Sequence, residues 1–128
     1  MKSGKDPNES GGKPYDLEER TERFAKDVRV FPKTIPMTIA NLEDIKQLVR
    51  ASGSQSANYI EANEAVSKKD FAFRVKVCRK EAKESGLFLR LLDTGDSEEV
   101  EDERRRLNDE AGQLTRIFGS IIRKSDGG

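Results

Sequence analysis

The chain has no histidine, no tryptophan and one cysteine. Without histidine it lacks the commonest general base and the commonest metal ligand of proteins. The single cysteine, Cys78, excludes an intrachain disulfide and a cysteine metal cluster. No apolar run resembles a signal peptide or is long enough to span a membrane, so we expect a cytoplasmic protein.

Charge is abundant instead. Charged residues make up 38% of the 128-residue chain and hydrophobic residues 34%. Amphipathic helices suit this composition, because each needs only an apolar stripe. The length is enough for one domain but short for two. The 24 Lys and Arg residues balance 24 Asp and Glu residues, so a nucleic-acid site would need a local cluster of cations.

Hydrophobic spacing predicts four helices, because apolar residues recur three and four positions apart and no segment alternates with period two. The predicted helices cover about 16–34, 38–65, 67–92 and 97–123, within a domain at 15–124. Short turns between them predict an all-α fold, an antiparallel up-down-up-down four-helix bundle with a left-handed twist. We expect residues 1–14 to form a disordered lead and 125–128 a flexible tail. Pro32 leaves open whether the first helix ends or kinks there.

The second predicted helix has small and polar residues where leucine is expected. Its stripe begins with Leu42, Ile45 and Val49 and then becomes Ser, Ser, Tyr and Asn. Gly and Ser cost several tenths to about 1 kcal/mol each against Ala in a helix. We therefore predict a helix-packing motif in which small residues admit a neighbouring backbone or aromatic ring, and serines bond back to carbonyls four residues earlier. Its members are Ser52, Gly53, Ser56, Ala57 and Asn63. A serine nucleophile would need an activating base, and none is placed nearby by the pattern.

The third predicted helix carries two apolar stripes. The core stripe places Cys78 among buried residues, as a small hydrophobe rather than a reactive thiol. The second stripe points away from the core, and an apolar patch on the outer face of a bundle is typical of a partner surface. We predict that it forms an oligomer interface. Its members are Phe73, Val77, Leu87 and Leu91.

Charged residues of the middle helices suggest two further features. The first is an ion-pair lattice between helices or subunits, formed by Arg50, Glu61, Glu64, Arg79, Glu81 and Glu84. A carboxylate metal site is the alternative, but bundle sites of that type use histidine as well. The second is a basic face of the third helix, formed by Lys69, Lys76, Lys80, Lys83 and Arg90. Either a solvated face or a phosphate-binding surface would have this pattern.

Several blocks of sequence together resemble one protein family. They are Tyr15–Leu17, Ala40-Asn41, Gln47–Arg50, Ser52–Ser54, Ala57–Ala65, Ser67–Phe71 and Cys78–Ser85. The chain resembles the bacterial four-helix-bundle family, also called the 23S rRNA-intervening-sequence protein family, over about residues 15–92, and by pattern alone in the fourth helix. The chain departs from basic members of that family in its net charge of zero.

This resemblance implies a single four-helix bundle that assembles as a homopentamer and has no established catalytic activity. Relatives that serve as accessory proteins of diversity-generating retroelements form pentameric barrels and bind nucleic acid and a reverse transcriptase. We therefore expect a non-enzymatic scaffold or accessory protein with no cofactor, no metal and no small-molecule substrate. The alternative is nucleic-acid binding through the basic face of the third helix of a pentamer. The expected partners are copies of the chain itself, and nucleic acid or a nucleic-acid enzyme.

Overall fold

A computed structural model describes residues 14–127 of the chain. Over that range the protein contains α-helices and one 3₁₀ turn, and no β-strand. The helices are α1 (Pro14–Val30), α2 (Ile39–Asn63), α3 (Lys68–Leu91) and α4 (Glu98–Gly127), and the 3₁₀ turn (Phe31–Thr34) follows α1 directly. Residues 125–127, expected in a flexible tail, belong to α4, and nearly all of the expected lead at 1–14 lies outside the described residues.

Neighbouring helices run in opposite directions, because residues early in one helix meet residues late in the next. Between α1 and α2 the pairs are Glu18 with Asn63 and Thr21 with Ser56, and between α2 and the end of α3 or its start they are Asn41 with Asp93 and Asn58 with Arg74. Between α3 and α4 they are Arg90 with Asn108 and Arg79 with Gly119. Between α1 and α4 they are Arg20 with Glu110 and Asp27 with Arg106. The predicted all-α, up-down-up-down bundle is therefore confirmed. The handedness of its twist stays a prediction.

Local chemistry sets where the helices begin and end. The α-helical part of α1 stops at Val30, and Pro32 lies in the 3₁₀ turn that follows, because proline has no amide hydrogen to continue the helix. Hydroxyl oxygens cap the next two helices: Thr38 accepts from the Asn41 amide and Ser67 from the Asp70 amide, each at 3.0 Å. Gly95, with φ of 75°, makes the turn before α4.

The core is formed by one stripe from each helix. The predicted core stripe of α3 runs from Phe71 to Leu92. Phe71 is only partly buried and Leu92 is 3% exposed, whereas the members between them are fully buried, namely Val75, Cys78, Ala82, Ser85 and Leu89. Leu107, Leu114 and Phe118 are the largest fully buried residues of α4. Across the core, the Phe118 ring lies 5.7 Å from the ring of Tyr59, centroid to centroid. A tilted aromatic pair of this kind stabilises the fold beyond the contribution from burying the two rings.

The prediction for the first half of α2 was wrong in its register. Leu42 is 43% exposed, and Ile45 and Val49 are only partly buried. Asn41 occupies the interior position instead, at 1% exposure. Its side-chain amide donates to the carbonyls of Pro36 and Asp93, both at 2.8 Å, and its Oδ1 accepts from the Asp93 amide at 2.9 Å. Hydrophobicity alone would place an apolar residue at this position. Asn41 lies there instead because its side-chain amide forms hydrogen bonds with three backbone groups.

Candidate functional site

The outward face of α3 is apolar and open to solvent. Phe73 is 59% exposed, Leu91 56% and Leu87 42%, and Val77 is partly buried. The opposite face of α3 packs in the core, so the packing of a single chain does not require this outer stripe. Large exposed apolar residues grouped on one helix face are typical of an interaction surface. The assignment of this stripe as an oligomer interface stays a prediction.

Other apolar side chains are also exposed, and apart from Leu42, which was predicted to lie in the core stripe of α2, none of them belongs to a predicted stripe. They are Val30, Met37, Ile39, Leu42, Ile60 and Val66. Ile39 is the first residue of α2 and Val66 lies in the turn before α3, with exposures of 87% and 94%. Residues at helix ends have no neighbour on one side, so their exposure says little about partners.

Charges in the cleft between α2 and α3 are paired. Arg50 of α2 donates to Glu81 Oε2 at 3.2 Å and to Glu84 Oε1 at 3.0 Å. Ser54 Oγ also donates to Glu81 at 3.0 Å, and Lys80 Nζ lies 3.6 Å from Glu84. The hydrogen bond with Glu81 raises the pKa of Arg50 above its ordinary value. Glu81 is almost completely buried, yet every charge around it has a partner.

Only part of the predicted ion-pair lattice forms within one chain. Arg50, Glu81 and Glu84 come together as described. Among residues 14–127, Glu61, Glu64 and Arg79 have no oppositely charged group within 4 Å. Glu61 and Glu64 are exposed at the C-terminal end of α2, and the Arg79 Nε approaches Gly119 of α4. A part for these residues in contacts between subunits stays a prediction.

The packing motif on α2 combines buried hydroxyls with one close approach. Ser52 and Ser56 are buried; Ser52 donates to the carbonyl three residues earlier, that of Val49, and Ser56 accepts from Thr21 of α1. The group that lies over Gly53 is the Arg29 guanidinium, not a backbone or an aromatic ring, and a Cβ at Gly53 would be 3.2 Å from its Nη2. Two remaining members differ: Ala57 is exposed, whereas Asn63 Nδ2 donates to Glu18 of α1 at 2.7 Å.

Two buried polar groups lie near the centre of the bundle. The Cys78 thiol is fully buried, 3.4 Å from the carbonyl oxygen of Gln55, and burial raises its pKa to about 12. The thiol therefore stays protonated near neutral pH, which does not suit a nucleophile. Gln55 is also fully buried, and neither its Nε2 nor its Oε1 has a hydrogen-bond partner.

A groove of about 400 Å³ lies between α3 and α4. Its floor consists of small residues, among them Ala82, Gly86 and Gly112. Cations stand along its sides, namely Lys83 and Arg90 from α3 and Arg116 from α4. A second depression of about 390 Å³ continues along α3, with Lys76, Arg79, Lys80, Lys83 and Glu84. Because Lys83 borders both, the two form one basic surface.

The structure thus divides the predicted basic face. Lys83 and Arg90 border the α3–α4 groove, Lys76 and Lys80 border only the second depression, and Lys69 borders neither. The pattern of α3 did not include Arg116 and Arg123 of α4. A signal for them exists in the sequence, since a glycine precedes an arginine by four residues three times, at 86 and 90, 112 and 116, and 119 and 123.

The described residues contain neither a metal-binding cluster nor a membrane-spanning helix. Between residues 14 and 127, no group of three or more His, Cys, Asp and Glu side chains has an arrangement that could hold a metal ion. In the same range no helix combines the length and the apolar character that a membrane crossing requires.

Comparison with known proteins adds a fold relationship. No protein-family model matches the chain, and no curated protein does. Among solved structures, it is similar to a protein of unknown function from the S23 ribosomal protein family of Bacteroides thetaiotaomicron, with a TM-score of 0.67 and 23% sequence identity. The match covers 83% of this chain and 97% of that one. At this identity the likeness shows a shared fold.

Proposed function

We propose that the protein is a non-enzymatic, self-associating helical-bundle scaffold or accessory protein of the cytoplasm. The observation that supports this proposal is the apolar outer face of α3, where Phe73, Leu87 and Leu91 are 42–59% exposed although the core behind them is complete. Removal of this surface from water would favour association by about 25 cal/mol per Å² of apolar area, less the cost of ordering.

The proposed assembly is a closed ring of identical subunits, and a pentamer is the form implied by the family resemblance. A single helix face that meets a different face of the next subunit makes a head-to-tail contact, and such contacts close into rings when the rotation per subunit allows it. In this assembly Glu61, Glu64 and Arg79, which lack charged partners among the described residues of one chain, would be available for contacts between subunits.

Replacement of Phe73 and Leu87 by aspartate tests this proposal. Two carboxylates in a buried apolar interface would lose their hydration without a partner, so we expect the double variant to be monomeric while its helical content is unchanged. Multi-angle light scattering after gel filtration measures the mass, and circular dichroism measures the helix. The wild-type chain is expected at a multiple of 14.4 kDa.

A matched control makes the same chemical change elsewhere. Ile39→Asp with Val66→Asp also introduces two carboxylates at exposed apolar residues, but at helix ends outside the α3 stripe, and should leave the mass unchanged. A wild-type monomer, or an F73D/L87D variant that keeps the wild-type mass, would contradict the assignment of the stripe.

A second candidate function is the binding of nucleic acid, directly or beside a nucleic-acid enzyme. It is favoured by the second depression, where Lys76, Arg79, Lys80 and Lys83 gather around one carboxylate, that of Glu84, which is already paired with Arg50 and Lys80. A ring would repeat this surface on every subunit. Affinity for nucleic acid would fall steeply with salt, because each cation that neutralises a phosphate releases a counterion.

A further inference from the structure

Five of the twelve arginines of the chain are paired with carboxylates, but those of the α3–α4 groove are not. Arg20, Arg50, Arg104, Arg105 and Arg106 each have a carboxylate within 4 Å. Among residues 16–125, no carboxylate lies that close to any of the groove cations, which are Lys83, Arg90 and Arg116, with Arg79 further along.

Glycines allow these arginines to lie back along their own helices. A Cβ placed on Gly86 would be 3.0 Å from Arg90 Nη1 and 3.3 Å from Asn108 Oδ1, closer than ordinary van der Waals contact. A Cβ on Gly112 would be 3.5 Å from Arg116 Nη1. The Arg90 guanidinium therefore occupies space that a Cβ at residue 86 would need, whereas a Cβ at residue 112 would be in ordinary contact with Arg116.

The hydrogen-bond partner of Arg90 orients this groove cation without neutralising it. Arg90 Nη1 donates to Asn108 Oδ1 at 2.9 Å, and this acceptor is a neutral amide. Asp109 is the one carboxylate among the residues that line the groove, and its Oδ2 accepts from Gln113 Nε2 at 2.7 Å. A cation that is held in place but has no carboxylate partner favours the binding of an external anion. Part of the entropic cost of fixing its side chain is already met before the anion binds.

The charge of the groove indicates which anion fits. Lys83, Arg90 and Arg116 contribute three positive charges and Asp109 one negative charge, so the groove carries a formal surplus of two. A phosphate monoester carries about −1.5 to −2 near neutral pH, and successive phosphodiesters carry one negative charge each. A single carboxylate would leave part of the surplus unmatched. Guanidinium groups also bind phosphate oxygens in pairs, which a planar fork of donors allows.

We propose that the groove between α3 and α4 is a binding site for a phosphate ester, held by Lys83, Arg90 and Arg116 over the floor of Gly86 and Gly112. The phosphate belongs either to a polynucleotide backbone or to a free nucleotide. In its polynucleotide form the proposal rests on the second candidate function and places the site in the groove rather than on the outer lysines of α3. In its nucleotide form it is independent of that function.

Binding titrations with two probes test the proposal on the full chain at low ionic strength. The probes are AMP, followed by calorimetry, and a fluorescein-labelled ten-residue oligothymidylate, followed by anisotropy. The groove variant is R90Q/R116Q. The matched control, K46Q/R105Q, removes two exposed cations that are paired with Glu43 and Asp102 elsewhere on the bundle. A third variant, K76Q/K80Q, removes outer lysines of α3 that do not border the groove.

We expect wild-type protein to bind at least one probe, and R90Q/R116Q to bind it about tenfold or more weakly, since two charge-assisted contacts are lost. The K46Q/R105Q control should bind as the wild type does. Binding of the oligonucleotide well above AMP, with strong salt dependence, would assign the phosphate to a polynucleotide. Similar affinity for both, or binding of AMP alone, would assign it to a free nucleotide; the last result would also remove the nucleic-acid function while leaving the groove site.

Two results would overturn the proposal. One is a wild-type chain that binds neither probe. The other is an R90Q/R116Q variant that is folded by circular dichroism and binds as tightly as the wild type. If K76Q/K80Q weakens oligonucleotide binding while R90Q/R116Q does not, the nucleic-acid function stands and the groove site fails. As a local check, the backbone amide resonances of Gly86 and Gly112 should shift on titration of the bound probe.

Discussion

The two sides of α3 contrast in how they treat charge. Towards α2, Arg50 is bound by Glu81 and Glu84, and Ser54 adds a further hydrogen bond. Towards α4, Arg90 lies over Gly86 and donates to the neutral amide of Asn108, and Arg116 lies over Gly112. The same helix therefore has one side where Arg50 is neutralised by two carboxylates within the chain, and one side whose groove cations have no carboxylate partner and are open to an outside anion.

This contrast shows why the net charge of a chain is a poor guide to its partners. Equal numbers of acids and bases would suggest a surface with no preference for anions. Pairing with carboxylates removes five of the twelve arginines from that balance, whereas the groove cations keep their full effect because no carboxylate of the described chain lies within 4 Å of them. The local distribution of charge, rather than the net charge of the chain, decides which ligands a surface attracts.

Asn41→Leu would remove a buried amide on the α2 side of α3 whose hydrogen bonds all go to backbone groups. The Asn41 side chain makes three hydrogen bonds, two to carbonyls and one to the Asp93 amide, and it joins the start of α2 to the turn after α3. Leucine would leave those backbone groups without partners, so we expect a loss of about 2–3 kcal/mol in the free energy of unfolding. Urea denaturation followed by circular dichroism measures it. A loss below about 0.5 kcal/mol would show that water replaces the amide.

Gln55→Met tests the same side of α3, but here we expect the substitution to stabilise the protein. Gln55 is an exception on the paired side, since its amide is fully buried with no hydrogen-bond partner. Methionine has a similar shape and no amide to desolvate, so we expect it to raise the free energy of unfolding by about 1 kcal/mol. The same denaturation experiment applies. Destabilisation by a similar amount would indicate that an ordered water satisfies Gln55 and that the residue is structural.

Sequence patterns predicted the fold because the bundle depends on features that are local in the chain. The four-and-three spacing from Phe71 to Leu92 predicts one buried face of α3, and its members are buried except Phe71, which is partly buried. The register of early α2 could not be predicted in this way. Leu42 outranks Asn41 in hydrophobicity, and only the contact with Asp93, far along the chain, explains why Asn41 is inside.

The candidate groove was predictable in part. Lys83 and Arg90 belonged to the predicted basic face, because both are cations of α3. Arg116 was missed, since its place beside them depends on how α4 lies against α3. The glycine four residues before it is a signal within α4, but it does not tell which helix the arginine faces. Whether a cation is paired is also a property of the fold: Arg50 and Arg79 looked alike in sequence, yet Arg50 meets two carboxylates and Arg79 meets none among residues 14–127.

Two single substitutions, measured side by side, test the contrast between the two sides of α3 most directly. Glu81→Gln removes a charge from the paired side and Arg116→Gln removes one from the open side. For each variant, urea denaturation gives the stability, and titration with the phosphate probe that the wild type binds gives the affinity.

We expect Glu81→Gln to lower the free energy of unfolding by about 1 kcal/mol, a modest loss because Arg50 is half exposed, and to leave the affinity unchanged. Arg116→Gln should change stability by less than about 0.5 kcal/mol and weaken binding several-fold. If Arg116→Gln instead destabilises the fold and leaves binding intact, the cations of the groove are structural, and the contrast between the two sides of α3 is wrong.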